Sequence, residues 1–126
     1  MNMPTPNPNL LTIFAGDDVV SQLVQLLKNG QPVDLTGVTE IEMDFALDPN
    51  LSPSLALYAA KKSTGQIVIS GNAVLGTFAL SILGVNTAKF LSNCFNVDVD
   101  VVVTDVSGKM QTYRISNGLS VLQRNT

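Results

Sequence analysis

Lys28-Asn29-Gly30-Gln31-Pro32-Val33-Asp34-Leu35-Thr36-Gly37 is the stretch on which the fold of this chain turns. Asn29-Gly30 supplies the two consecutive positive φ angles of a tight hairpin turn, and Pro32 then fixes φ at about −65°. Asp34 and Thr36 offer side-chain oxygens to nearby backbone, and Gly37 lets the chain change direction. Alternating apolar residues lie on both sides, so the stretch reads as a sheet corner rather than an active site. Just upstream, Ala15-Gly16-Asp17-Asp18 closes a first strand.

Working outward, Leu10 to Phe14 is that first strand and Val19 to Leu27 the second. Val20, Gln22, Val24 and Leu26 are expected on one face, with Leu23, Gln25 and Leu27 on the other. Both faces are partly apolar, so a short amphipathic helix competes; the hairpin turn at Asn29-Gly30 favours the strand. Thr39 to Asp48 alternates cleanly, with Ile41, Met43, Phe45 and Leu47 against Glu40, Glu42, Asp44 and Asp48. After the loop Pro49-Asn50-Leu51-Ser52-Pro53, strands are expected at Leu55 to Lys61 and, past Ser63-Thr64-Gly65, at Gln66 to Ser70. Gly71-Asn72 turns the chain into Thr77 to Leu83, with Phe78, Leu80 and Ile82 on one face, and Gly84 closes it.

Asn86-Thr87-Ala88-Lys89-Phe90-Leu91 has a capping-type start and suits one helical turn. Phe95 to Thr104 is the longest strand pattern, its β-branched valines fitting a pleated surface. Ser107-Gly108 leads to Lys109 to Ile115, and Asn117-Gly118 to a last strand, Leu119 to Leu122. Roughly eight or nine short strands with such regular turn signals predict an all-β fold, an immunoglobulin-like antiparallel β-sandwich; a small barrel is second. Residues 1–9 form an extended proline-rich arm, since Pro4, Pro6 and Pro8 forbid a helix. Residues 10–126 are one sandwich domain.

Charged residues are 13% of the 126-residue chain, about half the usual share of roughly 25%. Such a surface suits a subunit that hides much of itself in an assembly. The net charge is −3 and the basic residues are scattered, with only Lys61-Lys62 adjacent. Without a basic stripe, nucleic acid is not an expected partner. Cys94 is the only cysteine, expected to act as a small buried hydrophobe in a chain made in a cytoplasm. No signal-peptide layout and no apolar run of about 18 residues is present, so membrane insertion is not expected.

The chain has no histidine, which removes Ser-His-Asp and Cys-His nucleophilic arrangements and the usual zinc sites. We expect no catalytic residues, no cofactor, no metal and no enzymatic activity. Asp98 and Asp100 share one strand face, and Glu40, Glu42, Asp44 and Asp48 line another. Were those strands to meet, the acids would be oxygen ligands for Ca²⁺; the favoured reading is a solvated face or partners for neighbouring lysines. Tyr58 and Tyr113 are the only tyrosines and there is no tryptophan, too little stacking surface for a sugar platform.

Gly16, Asp17, Asn29, Gly30, Pro32, Val33, Asp34, Leu35, Thr36 and Gly37 together form a pattern that resembles the small immunoglobulin-like β-domains of tailed-bacteriophage tail and baseplate proteins. It is similar to the N-terminal domain of upper baseplate proteins. The resemblance implies a virion structural protein, made in the host cytoplasm, that docks neighbouring tail proteins, fibres or receptor-binding proteins and forms homo-oligomers within the particle. Gly16, Asp17, Asn29, Gly30, Pro32, Asp34, Thr36 and Gly37 would maintain the corner. Expected partner contacts are Asn2, Pro4, Pro6 and Pro8 in the arm, Pro49, Leu51 and Pro53 in the loop, and Leu122 and Arg124 near the end. Glu40 and Glu42 depart from the more basic strand usual after the corner, and no fibre-forming segment is expected after the domain. A neck or capsid-decoration subunit, or a module that binds a host-surface glycan or protein, is the alternative.

Overall fold

The computed structural model describes residues 11–46, 57–69, 73–90 and 94–122. The arm 1–9, the loop Pro49-Pro53, the Gly71-Asn72 turn and Arg124 lie outside the described residues, as does the side chain of Cys94. In chain order the described strands are β1 (Leu11–Phe14), β2 (Val19–Gln25), β3 (Leu27–Lys28), β4 (Gln31–Pro32), β5 (Glu40–Ala46) and β6 (Leu57–Lys61). They continue with β7 (Ile67–Ile69), β8 (Thr77–Ile82), β9 (Cys94–Thr104) and β10 (Met110–Leu122). One 3-10 turn (Ala73–Leu75) and one short helix, α1 (Gly84–Thr87), complete the described chain.

Five strands form one sheet in the order β1-β10-β9-β5-β6, and three form a second in the order β2-β8-β7. Pairing is antiparallel throughout except at β1, which runs parallel to β10. The sheets do not close into a barrel. One core joins them: Ile41, Met43 and Phe45 from β5 and Val99, Val101 and Val103 from β9 pack with Phe78, Leu80 and Ile82 from β8. Each set occupies alternate positions, as a strand with one buried face requires. The expected all-β sandwich is therefore the architecture found. The chain enters the smaller sheet twice, from β1 to β2 through the Phe14–Asp17 turn and from β6 to β7 through Lys62–Gly65, and returns to the larger sheet before β5 and before β9.

The corner forms from the chemistry read in the sequence. Asn29 (φ 52°) and Gly30 (φ 79°) make a two-residue turn that pairs Lys28 with Gln31 and Leu27 with Pro32. The Thr36 N–H donates to Asp34 Oδ1 at 2.9 Å, and the Val38 N–H closes a turn on the Leu35 carbonyl. The hairpin joins two-residue strands rather than the two long ones. Its base is instead held by the Ala73–Gly76 segment, where the Leu26 N–H reaches the Gly76 carbonyl and the Leu35 N–H the Ala73 carbonyl. Leu26 and Leu35 are both fully buried.

Three expectations need correction. Val20 does not share an inward face with Val24, because Ser21 takes a positive φ of 47° and the β2–β8 register slips between Val19 and Gln22. That bulge reverses the alternation; Val19 packs on the core and Val20 is 76% exposed. The helical turn begins at Gly84 rather than Asn86, and a distant residue caps it, since the Gly84 N–H donates to Asp18 Oδ1. Asn117-Gly118 is no turn: β10 runs unbroken from Met110 to Leu122, with register shifts on both sides of Leu119 that absorb the irregularity.

Candidate docking surface

The outward residues of β2, β8 and β7 lie in register. Leu23 pairs with Ala79 and Ala79 with Val68, so these three form one apolar row across the small sheet. Leu23 is 63% and Val68 56% exposed. Rows of neutral polar groups flank them: the Ser21 N–H donates to Ser81 Oγ on one side, and Gln25 pairs with Thr77 on the other. No charged residue stands on any of the three strands. Both β2 and β7 are edge strands, whose outer backbone groups can pair with another chain.

At one end of this face is a groove of about 490 Å³, walled by Val19 and Val20, by Ser81 to Leu83 and by Thr64 to Gln66. Leu83 (65%) and the neighbouring Val85 (69%) stand out from its rim. Several of its polar groups are already engaged. Asp18 Oδ1 accepts from Gly84 at 2.5 Å, and Gln66 Oε1 accepts from the Thr64 hydroxyl at 2.7 Å and from the Lys61 N–H. Gln66 Nε2 donates to the Tyr58 hydroxyl, whose pKa is pushed up by burial against the lowering effect of Gln66 and Asn86. The Tyr58 ring in turn packs edge-on against Phe90, which meets Phe45 at 5.9 Å between centroids. The groove thus combines an apolar wall with polar groups that are partly engaged within the fold.

The outer face of the large sheet is its opposite. Glu40, Glu42 and Asp44 of β5 point away from the core beside Asp100 of β9, which stands directly across from Asp44. β5 and β9 do pair, so the two acidic rows lie side by side, and cations from the flanking strands serve them. Arg114 on β10 grips Asp100 with two hydrogen bonds, at 2.8 and 3.0 Å, and Lys61 on β6 lies 3.7 Å from Glu42. The Arg114 hydrogen bonds hold the Asp100 pKa below its usual range. Asp44 has no such cation. Burial, a hydrogen bond and charge from Glu42, and the Asp100 charge raise it to about 7, and its Oδ1 is buried without a hydrogen-bond partner. Among the described residues no three metal-ligating side chains converge, and no helix is long and apolar enough to cross a membrane.

The corner residues occupy two different places. Asn29, Gly30, Pro32, Asp34, Thr36 and Gly37 sit around the β3–β4 hairpin, whereas Gly16 and Asp17 belong to the β1–β2 turn, packed on α1. There the buried Thr87 hydroxyl accepts the Gly16 N–H at 3.0 Å and donates to the Asp17 carbonyl at 2.7 Å. Of the expected partner contacts, Leu122 ends β10 beside Phe14 and accepts the Ala15 N–H through its carbonyl. Asn2, Pro4, Pro6, Pro8, Pro49, Leu51, Pro53 and Arg124 lie outside the described residues. The neutral face escaped the sequence reading, although a signal existed: no charged residue occurs between Val19 and Leu27 or between Ser63 and Ala88. No family model matches the chain, and no curated protein matches it.

Proposed function

We propose that this chain is a structural docking subunit, the role implied by its resemblance to tail and baseplate modules of tailed phages. In that role it holds neighbouring virion tail proteins, fibres or receptor-binding proteins by shape rather than by chemistry. The observation that carries this reading is the segregation of charge. One face of the sandwich gathers Glu40, Glu42, Asp44, Asp100, Lys61 and Arg114, and the other exposes Leu23 and Val68 with no charge beside them. Burying a neutral apolar face against a partner gains on the order of 25 cal/mol per Å² and strands no ion. A charged face stays hydrated and keeps copies soluble.

Among the described residues β2 and β7 are the edges of the neutral sheet, and they add a backbone route to the same partner. The test is immunogold labelling of tailed particles with antibodies to the purified chain, followed by cross-linking mass spectrometry. Label on the tail, with cross-links from β2 or β7 to other tail proteins, is the expected result. Absence of the chain from particles, or saturable binding of the free chain to host cells, refutes it.

A further inference from the structure

We propose that β2 pairs edge to edge and antiparallel with β2 of a second copy of this chain, joining the small sheets of the two copies into one continuous sheet. The inference rests on the docking reading above and names a partner for the neutral sheet. β2 is an edge strand of seven residues, Val-Val-Ser-Gln-Leu-Val-Gln, with neither a charge nor a proline, and all but Val19 and Val24 are exposed. Long edges without charge or proline recruit other strands, and proteins blunt them where pairing is unwanted. The other edges among the described residues of the two main sheets are blunted. β1 and β7 are only four and three residues long. On β6 the Lys61 backbone is bonded to Gln66, its N–H to Oε1 and its carbonyl to the Gln66 N–H.

The outward backbone groups set the register. The Leu26 N–H bonds to the Gly76 carbonyl, while Gln25 stands opposite Thr77 and Leu23 opposite Ala79. The alternation of an antiparallel ladder therefore turns the N–H and C=O of Leu23 and Gln25 away from β8. The Leu23 carbonyl meets the Gln22 side-chain amide at 3.3 Å, a contact that a strand N–H would replace. The Ser21 bulge ends this window on one side, and the Val33 N–H on the Leu26 carbonyl ends it on the other. A partner strand must be as short as the window, and β2 itself is. With a two-fold axis beside Val24, Leu23 of each copy exchanges both backbone hydrogen bonds with Gln25 of the other, and neither bulge intrudes.

Charge selects both the copy and its direction. Each copy carries a net charge of −3, so copies repel one another except through uncharged surface. The stretch from Val19 to Leu27 is uncharged, with Asp17-Asp18 before it and Lys28 after it. Antiparallel pairing brings the acidic end of one stretch toward the basic end of the other. The rows Leu23-Ala79-Val68 of both copies then share one face, which doubles the apolar surface offered to a third protein.

Sedimentation equilibrium of the full-length chain, with disulfide trapping, tests this. Leu23→Cys and Gln25→Cys proteins, each altered at an exposed position, are mixed and oxidised, and the disulfides are located by peptide mass spectrometry. A hydrogen-bonded cross-strand pair holds its Cα atoms about 5.5 Å apart, inside the roughly 4.4–6.8 Å that a disulfide spans. We expect twice the chain mass as the parent protein is concentrated. The disulfide between the two variants should be about tenfold more abundant than either same-site disulfide. Leu23→Pro deletes the outward N–H at an edge that tolerates proline, and should hold the mass at that of one chain. A parent protein that stays monomeric, or disulfides mainly between like sites or elsewhere, would overturn the proposal. So would a folded Leu23→Pro protein that still doubles its mass; should that variant not fold, the disulfide pattern decides. A monomeric chain found on tails with β2 or β7 cross-links to other tail proteins removes the self-pairing and leaves the docking reading standing. Absence from particles together with the expected dimer does the reverse.

Discussion

Replacing Asp44 with asparagine should stabilise this protein most near neutral pH and progressively less as the pH falls toward 4. Asp44 stands on the outer face of β5, two residues from Glu42 and directly across from Asp100. Two carboxylates facing each other across a strand pair repel. Burial, Glu42 and Asp100 together raise the Asp44 pKa to about 7, above the ordinary 3.8, despite Lys61. Between those values the native protein holds a proton that the unfolded chain has released. Its stabilising effect is complete below about pH 4 and is lost as pH rises through 7.

At 1.36 kcal/mol per pKa unit the full linkage comes to about 4 kcal/mol. Asp44 is only half-buried, so solvent screening reduces this to about 1–2 kcal/mol. Asparagine cannot ionise, and its amide retains a donor for Glu42. Asp44→Asn should therefore melt about 3–8 °C above the parent at pH 8 and roughly two-fifths as far above it at pH 5, where the unfolded chain has begun to release the proton. Circular-dichroism melts at both values read this directly. An Asp44→Asn protein no more stable than the parent at pH 8, or one gaining equally at pH 5, refutes the reasoning.

Gly76→Ala should be among the most damaging single changes, because φ is +73° and an added Cβ would lie 2.7 Å from the Leu26 carbonyl oxygen; urea titration should show a loss of about 2–4 kcal/mol. Thr87→Val deletes the hydroxyl that accepts from Gly16 and donates to Asp17, costing about 1–3 kcal/mol in the same titration. At the hairpin, Gly30→Val meets no neighbouring atom but must adopt φ +79°. It should lower the melting temperature through a loss of more than about 1 kcal/mol, and an unchanged melt would mean that this turn does not constrain the fold.

Local features were legible in the sequence. The alternation along Glu40–Phe45 and Asp98–Thr104 and the Asn29-Gly30 turn depend on neighbours within a few residues, and they folded as read. What failed depended on distant chain. Asn117-Gly118 has turn chemistry, yet pairing with β9 on one side and β1 nearby holds it in a strand, so tertiary context overrides propensity. Nothing in Val19 to Gln25 marks the Ser21 bulge, which is set by how β2 lies on β8. Asp44 and Asp100 are far apart in sequence, and only register makes them a pair. The docking face is similar. Two uncharged stretches were visible, but their meeting on one sheet follows from the chain changing layers after β1 and again after β6.

Hydroxyl-radical footprinting of the chain, free and within its isolated native assembly, tests the central claim most directly. Protection concentrated on Leu23, Val68 and Leu83, with Met110 and the Glu40–Ala46 face as reactive as before, is the predicted outcome. Protection of the charged face instead, or no difference between the two states, would contradict it.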